Sequence, residues 1–324
     1  MTIFKGWEIS RNISFERTAL LFIVICVFSL YALVLSQPTS ASIKFERLTK
    51  KNADPTDDLK KIFAKIGYQL NSVRAHRQVP RIFLASVPKD FADLRKPSER
   101  KTLFIMMTLP LVLNVNEKIL LDRANLKRLE LKKATGQALT KIDRNLLKKL
   151  SNRYGVVGLN IGGLLKRADI IPPSLALAQS AEESGWGTSR FAHEGNALFG
   201  QRTWQSAEGL VPKKREEGKK FKIRTFGDLL EGVRAYALNL NTNPFYKNFR
   251  AMRAKMRQSD QGKIDSVKLA QTLLRYSERG PDYIATIRNI IRVNNFTIFD
   301  EVKLLDKGSR SPLTLQKINT VPDA

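Results

Sequence analysis

PPSLALAQSAEESGWG, at residues 172–187, indicates a helix on which the fold expected for the second half of the chain depends. Pro172 and Pro173 suit a helix start, because the fixed φ of proline fits the first helical turn. No helix breaker follows until Gly185, a residue type that suits a helix C-terminus. We therefore predict a helix that begins at this proline pair and ends at Gly185.

Glu183 lies at the end of this predicted helix. The negative end of the helix dipole and a water-excluding indole wall from Trp186 would both raise the pKa of its carboxyl group. A carboxyl that stays protonated near neutral pH is the group that glycosidic cleavage requires as its acid. The helical period places Glu183 on one face with three small or polar residues, Ala176, Gln179 and Ser180, and turns Glu182 about 100° away. On spacing alone, however, a glutamate near a helix end is usually a solvated surface residue.

The remainder of the second half alternates helical periods with one hairpin-like stretch. Residues 204–226 are typical of a small β-lobe, in which 210–211 and 221–223 flank a turn at 216–218. Apolar residues at helical spacing predict three further helices, around 229–240, 267–274 and 284–291. We assign residues 156–300 to one catalytic domain and expect the tail, 301–324, to be disordered.

The first half is predicted to be a helical accessory region, residues 59–155. Residues 59–73 and 112–131 carry apolar side chains at helical spacing, and Asp143 to Tyr154 adds a shorter basic helix. The apolar run 103–113 is too short to span a bilayer and is broken by Pro110, which indicates a core helix.

The N-terminus carries a membrane signal. Residues 18–36 read TALLFIVICVFSLYALVLS, an uncharged run of the length that a helix needs to cross a bilayer. Basic residues precede it, so residues 1–17 are expected to stay in the cytoplasm and the bulk of the chain to be exported. We favour an uncleaved signal-anchor followed by a linker, 37–58, over a cleaved signal peptide or a buried soluble helix.

Composition narrows the chemistry. Fifty-six Lys and Arg residues against 30 acids give a formal net charge of +26, which favours polyanionic partners: nucleic acid, anionic lipid or acidic wall polymers. One cysteine, Cys26, and two histidines, His76 and His193, exclude an intrachain disulfide and a Cys/His zinc site. We expect no metal and no cofactor, and chemistry that rests mainly on carboxylate, tyrosine, serine and lysine side chains.

Several motifs together carry a family resemblance. The stretch ALAQSAEESGWGTSRFAHEGNALFGQ, residues 176–201, closely resembles the glucosaminidase domain of glycoside hydrolase family 73. Asn-Pro-Phe-Tyr at 243–246 and YSERGPDY at 276–283 resemble later motifs of that family, in the same order. The segments VPRIFLASVPKDF, 79–91, and TLPLVLNVNEKIL, 108–120, are similar to the helical region of the bacterial Bax family. The resemblance covers residues 59–299.

The resemblance implies a fold and a set of site residues. The fold would be α+β and lysozyme-like, mainly helical with a small β-hairpin lobe, with Glu183 as general acid and Tyr246 assisting catalysis or binding. Glu208 is the preferred second catalytic residue, ahead of Glu216 and Glu217 at the hairpin tip, although assistance by the substrate N-acetyl group would remove the need for a second acid. Residues expected to bind sugar, or in the case of large aromatics to be core, are Trp186, Asn196, Phe199, Trp204, Phe245, Tyr276 and Tyr283.

The function implied is cleavage of peptidoglycan glycan strands by an endo-β-N-acetylglucosaminidase. The protein would be a single-pass protein of the bacterial inner membrane with its catalytic domain in the periplasm. A catalytically idle, membrane-tethered wall-binding or scaffold protein is the alternative, and muramidase specificity also stays open. Nucleic-acid binding is not expected, because export argues against it and no such motif is present.

Overall fold

The computed structural model describes residues 55–204, 209–213, 218, 220–259 and 262–306. This part of the chain is mainly helical with a few very short strands, so the α+β class predicted from the sequence is confirmed. Its helices are α1 (Pro55–Lys65), α2 (Leu70–His76), α3 (Pro97–Ala134), α4 (Lys141–Tyr154), α5 (Ile161–Arg167), α6 (Pro173–Ser184), α7 (Arg190–Gly195), α8 (Leu229–Thr242), α9 (Lys247–Gln258), α10 (Ser266–Ala270) and α11 (Pro281–Val293). Its strands are β1 (Gln78–Val79), β2 (Arg202–Thr203), β3 (Lys222–Ile223) and β4 (Lys303–Leu304).

Helix α6 contributes to the main hydrophobic core. It packs against α3, α11 and a 3-10 turn, Phe296–Glu301, and its residues from Leu175 to Ala181 are buried. The helix begins and ends as the sequence predicts, with Pro173 in its first turn and Gly185 in the left-handed conformation at its end, with φ of 57°. Because these consecutive buried residues fix the position of the helix, they also fix the position of Glu183 near its end.

Helix α3 corrects the prediction that Pro110 breaks the apolar run. The structure has one 38-residue helix here with Pro110 inside it. Proline cannot donate to the carbonyl four residues earlier, at Met106, but the hydroxyl of Tyr68 donates to that oxygen at 3.1 Å. The helix is long and apolar enough to cross a membrane, yet 78% of its most apolar window is buried in the protein. The prediction that residues 103–113 are core is confirmed.

Two other helix predictions change. The segment 59–73 forms two helices, α1 and α2, because the chain turns at Gly67 with φ of 68°. The helix predicted at 267–274 is the short α10, which ends at Ala270 and is followed by turns. The helices predicted at 143–154, 229–240 and 284–291 are present as α4, α8 and α11.

The β-lobe is small. Strands β2 and β3 pair antiparallel, with Arg202 opposite Ile223, and Leu210 forms a further bridge to Ile223. The pairing of residue 210 with 221–223 is thus confirmed, and β2 adds a strand that the sequence did not predict. Glu208, Glu216 and Glu217 lie outside the described residues.

The accessory region and the catalytic segment share one core. The main hydrophobic cluster includes Leu59, Phe104 and Leu175, and β1 pairs in parallel with β4 near the C-terminus. The side chain of Asn116 on α3 donates to the carbonyl oxygen of Ile171 at 2.8 Å and accepts from its amide at 3.2 Å. The distal half of α3 forms a separate small cluster with α4 and α5, and the β-lobe has another around Ile223 and Phe226. Two predicted bounds change, because α1 begins at Pro55 within the predicted linker and β4 lies within the predicted disordered tail. The proposed boundary near residue 155 stays a prediction. The membrane segment 18–36 and the rest of the linker and tail lie outside the described residues and also stay predictions.

Candidate active site

The end of α6 positions Glu183. The Ser184 hydroxyl donates to the carbonyl oxygen of Ser180 at 2.6 Å and accepts from the amide of Gly187 at 2.9 Å. These bonds join the last turn of the helix to the Gly-Trp-Gly segment that follows. Ser184 is therefore a buried structural residue.

Tyrosines surround the partly buried Glu183 carboxyl. Tyr283 hydrogen-bonds to it, and its charge acts on three further tyrosine hydroxyls, those of Tyr236, Tyr246 and Tyr276. Gly200 lies so close that a Cβ built on it would be 3.0 Å from Glu183 Oε2. Burial raises the pKa of each of these tyrosines, so all four stay protonated and can donate hydrogen bonds.

The pKa of Glu183 is raised to about 7, first because burial disfavours its charged form. The hydrogen bond from Tyr283 lowers the pKa, the neighbouring charge of Glu182 raises it, and the cations Arg279 and Arg202 lower it. The raised pKa agrees with the direction predicted from the helix end. At neutral pH a large fraction of the molecules therefore carries a protonated acid at this position.

Two ion pairs connect the segment 276–283 to α6 and to the β-lobe. Arg279 binds Glu182 on α6 at 2.6 Å, and Glu278 binds Arg202 on β2 at 2.8 Å. The tyrosines of this segment stack on each other, with ring centroids of Tyr276 and Tyr283 5.4 Å apart. The motif YSERGPDY thus connects the helix that bears Glu183 to the β-lobe.

Two predicted sugar-binding aromatics are packed in the protein. Trp186 contacts Phe104 and Phe296 edge to face, at centroid distances of 5.8 and 6.3 Å, so its ring joins α6 to the N-terminal helices. Phe199 is 3% exposed and stacks on Tyr236 at 3.8 Å. For Phe199 this is the core alternative that the sequence left open, because a buried ring cannot offer its face to a sugar.

The other predicted residues divide into exposed and buried groups. Trp204 and Phe245 are 72% and 61% exposed and present large apolar faces to solvent. Tyr246 is buried beside Tyr276, at a centroid distance of 6.1 Å. Asn196 ends α7 in the left-handed conformation, with φ of 51°, and its side-chain amide donates to the carbonyl oxygen of Phe226. Glu208 lies outside the described residues, so its role stays a prediction.

Two residues behind Glu183 were not among the predicted site residues. Gln179 is fully buried one helical turn before Glu183, and it hydrogen-bonds Tyr236 at 2.7 Å and Tyr283 at 3.0 Å. The sequence placed Gln179 on the face of Glu183, which was a usable signal. Tyr236 offered none, because it occupies an ordinary apolar position in the period of α8.

Comparison with known proteins bears on this site. The family profile described as mannosyl-glycoprotein endo-beta-N-acetylglucosaminidase (Glucosaminidase) matches residues 163–296. Protein bax of Escherichia coli (strain K12) is 33% identical over 266 residues, which cover 79% of this chain and 89% of that protein. The catalytic domain of the autolysin Auto from Listeria monocytogenes aligns with 16% identity over 53% of this chain and 96% of that chain, at a TM-score of 0.31, which does not establish a shared fold. On the strength of the Bax relative and the domain match, this chain belongs to the Bax family and carries a glucosaminidase domain.

Proposed function

We propose that this chain is a peptidoglycan hydrolase, an endo-β-N-acetylglucosaminidase on a lysozyme-like domain with Glu183 as general acid. One observation carries the proposal: within a glucosaminidase domain, burial raises the pKa of the Glu183 carboxyl to about 7. A general acid is most effective when its pKa lies near the working pH, because it is then both protonated and able to release its proton.

The reaction assigns one task to each group. Glu183 donates its proton to the glycosidic oxygen as the bond from that oxygen to the sugar C1 breaks and C1 gains oxocarbenium character. Water then adds at C1, either directly, activated by Glu208, or after the substrate N-acetyl oxygen has attacked C1. Tyr246 assists as a hydroxyl donor in the cleft, and the exposed rings of Trp204 and Phe245 provide faces for sugar stacking.

The substrate class follows from the family and the charge. The domain family acts on N-acetylglucosamine linkages by its description, and the net charge of +26 favours the acidic polymers of a bacterial wall. We further propose that residues 18–36 anchor the chain in the inner membrane and that the described domain faces the periplasm. Protease added to spheroplasts should then degrade the domain, and protection of the domain would place it in the cytoplasm.

The test is release of soluble fragments from purified peptidoglycan by the full chain in detergent. The wild-type chain should release them and Glu183→Gln should not. Glu194→Gln, which changes a surface carboxylate on α7 that pairs with Arg190, is the matched control and should keep the activity. Release that persists in Glu183→Gln would exclude Glu183 as the acid, and binding without release by the wild type would favour the scaffold alternative.

The bond specificity is read from the products. After borohydride reduction, mass spectrometry identifies the sugar at the new reducing end. Reduced N-acetylglucosamine supports the proposed activity. Reduced N-acetylmuramic acid would instead show a muramidase.

A further inference from the structure

A row of three buried polar groups lies behind Glu183. The Tyr236 hydroxyl donates to Gln179 Oε1 at 2.7 Å, and Gln179 Nε2 donates to the Tyr283 hydroxyl oxygen at 3.0 Å. Tyr283 in turn hydrogen-bonds to Glu183. Each of the three residues is at most 1% exposed, so these groups find their partners within the protein.

The row has a direction. A glutamine amide accepts at its oxygen and donates at its nitrogen, and the Tyr236 hydroxyl fixes which end points where. Because Gln179 Nε2 donates to the Tyr283 oxygen, the single proton of Tyr283 is left for the Glu183 carboxyl. With the amide reversed, Tyr283 would donate to Gln179 Oε1, and Glu183 would lose its donor.

We infer that Gln179 is a positioning residue for the reaction, held by Tyr236, which aims the hydroxyl of Tyr283 at the Glu183 carboxyl. The inference rests on the proposed role of Glu183 as general acid. A carboxyl group that accepts a hydrogen bond at one oxygen carries its proton on the other. Gln179 thus determines which oxygen of Glu183 is left to deliver the proton to the glycosidic oxygen.

If Gln179 had only a structural role, replacing it would leave the pKa of Glu183 unchanged. If Gln179 positions the Tyr283 hydroxyl, replacing it changes that pKa. Among the residues that the structure describes, the charged and titratable groups that face Glu183 are Glu182 on α6, Arg202 on β2, Tyr236 on α8, Tyr246 before α9, Tyr276 and Arg279 in the segment 276–283, and Tyr283 on α11. None of these charges changes in Tyr236→Phe or Gln179→Met near neutral pH. A shifted titration in these variants therefore reports the hydrogen bond.

The experiment follows the Glu183 carboxyl by carbon-13 NMR in the full chain in detergent, labelled with carboxyl-carbon-13 glutamate and assigned by its absence in Glu183→Gln. In Tyr236→Phe and Gln179→Met the titration midpoint should rise by about one pH unit, because the charged form loses part of a hydrogen bond. The upper apparent pKa in the pH profile of kcat/KM should rise by the same amount. Tyr68→Phe is the matched control, since it removes a buried hydroxyl bonded to Met106 far from the row, and it should leave the midpoint unchanged.

A midpoint equal to that of the wild type in a folded Tyr236→Phe chain would overturn the inference. This variant removes one oxygen atom and keeps the ring that stacks on Phe199, so it carries the test if Gln179→Met fails to fold. The titration needs no turnover. Failure of the proposed function therefore shows as a wild-type chain without activity, whereas failure of the inference shows as an unmoved midpoint.

Discussion

Burial of Glu183 has a consequence for stability as well as for chemistry. Its folded pKa of about 7 lies above the ordinary value of 4.5, so the folded state holds a proton that the unfolded state has lost. Protonated Glu183 makes its full contribution to the stability of the folded state below pH 4.5, and this contribution is lost as the pH rises to about 7. At higher pH the ionised carboxylate costs on the order of 3 kcal/mol of folding free energy.

Glu183→Gln should therefore be more stable than the wild type at pH 8 and close to it at pH 4.5, since glutamine does not titrate. The measurement is the free energy of unfolding by denaturant at both pH values. Other titrating groups, including Asp300, are common to both proteins and cancel in the difference. A stability difference that is the same at both pH values would contradict a raised pKa at Glu183.

The backbone at Gly200 lies close to the Glu183 carboxyl. Its φ is 58°, and an added Cβ would lie 3.0 Å from Glu183 Oε2. Gly200→Ala should lower kcat at least tenfold by displacing the carboxyl, because small misplacements of a catalytic group are costly. Gly158 has φ of 69° with nothing within 4 Å of a built Cβ, so Gly158→Ala imposes the same backbone strain, about 1 kcal/mol, without the contact. Equal activity of the two variants in peptidoglycan digestion would rule out the steric effect.

At the residue scale, the sequence predicts what depends on local geometry. The helix end at Gly185 follows from neighbours in the chain, and the direction of the pKa shift of Glu183 was predicted, but its main cause, burial, was not. The surroundings of the carboxyl do not, because its tyrosines come from segments 50 to 100 residues away in sequence, such as Tyr236 and Tyr283. Trp186, next in the chain after Gly185, packs instead against Phe104 and Phe296.

At the scale of the element, α6 depends on a cap that is distant in sequence. Its own N-cap residue, Pro172, offers no side-chain acceptor, and Asp300 accepts from the amide and the hydroxyl of Ser174 at 2.8 and 2.7 Å. Burial raises the pKa of Asp300 to about 6. At pH 4, where little of the folded protein carries an ionised Asp300, Asp300→Ala should lower the free energy of unfolding by about 2 kcal/mol, because a buried amide loses its acceptor.

The matched control for this cap is Asp265→Ala. Asp265 accepts from the amide of Lys268 at the start of α10, at the protein surface, where water can replace the lost bond. Its loss should cost about 1 kcal/mol or less. Thermal unfolding at pH 4 compares the two variants, and an equal loss in both would show that burial of the α6 start has no added effect.

The start and end of α6 were predictable, because Pro173 and Gly185 lie at the two ends of that helix. The continuity of α3 through Pro110 was not, because the compensating donor is Tyr68, 38 residues before the carbonyl at Met106. The β-lobe shows the same limit, since pairing of β2 with β3 joins residues separated by the hairpin. Local signals define elements, and contacts distant in sequence decide where elements continue or pair.

At the scale of the whole molecule, the N-terminal helices are part of the structure that holds the site. Helix α3 packs against both α6 and α8, the helices that carry Glu183 and Tyr236. Gly187 lies against the rings of Phe104 and Phe91, where an added Cβ would be 3.0 and 3.2 Å away. Arg123 of α3 and Arg257 of α9 also share Asp169, at 3.6 and 3.0 Å.

A fragment of residues 156–306 should therefore fail to fold cooperatively, although it contains the whole stretch 163–296 that matches the glucosaminidase family. Without α3, the buried faces of α6 and α8 would be exposed to water. The free energy lost with several large apolar contacts exceeds the 5 to 15 kcal/mol by which a typical domain is stable. The fragment 55–306 is the control and should melt in one transition by circular dichroism. A cooperative melt of the shorter fragment, with activity on peptidoglycan, would show instead that α1 to α4 are an accessory to a self-sufficient domain. The shared core argues against that outcome, because Trp186 packs against Phe104 of α3 as well as against Phe296 near the C-terminal end of the domain.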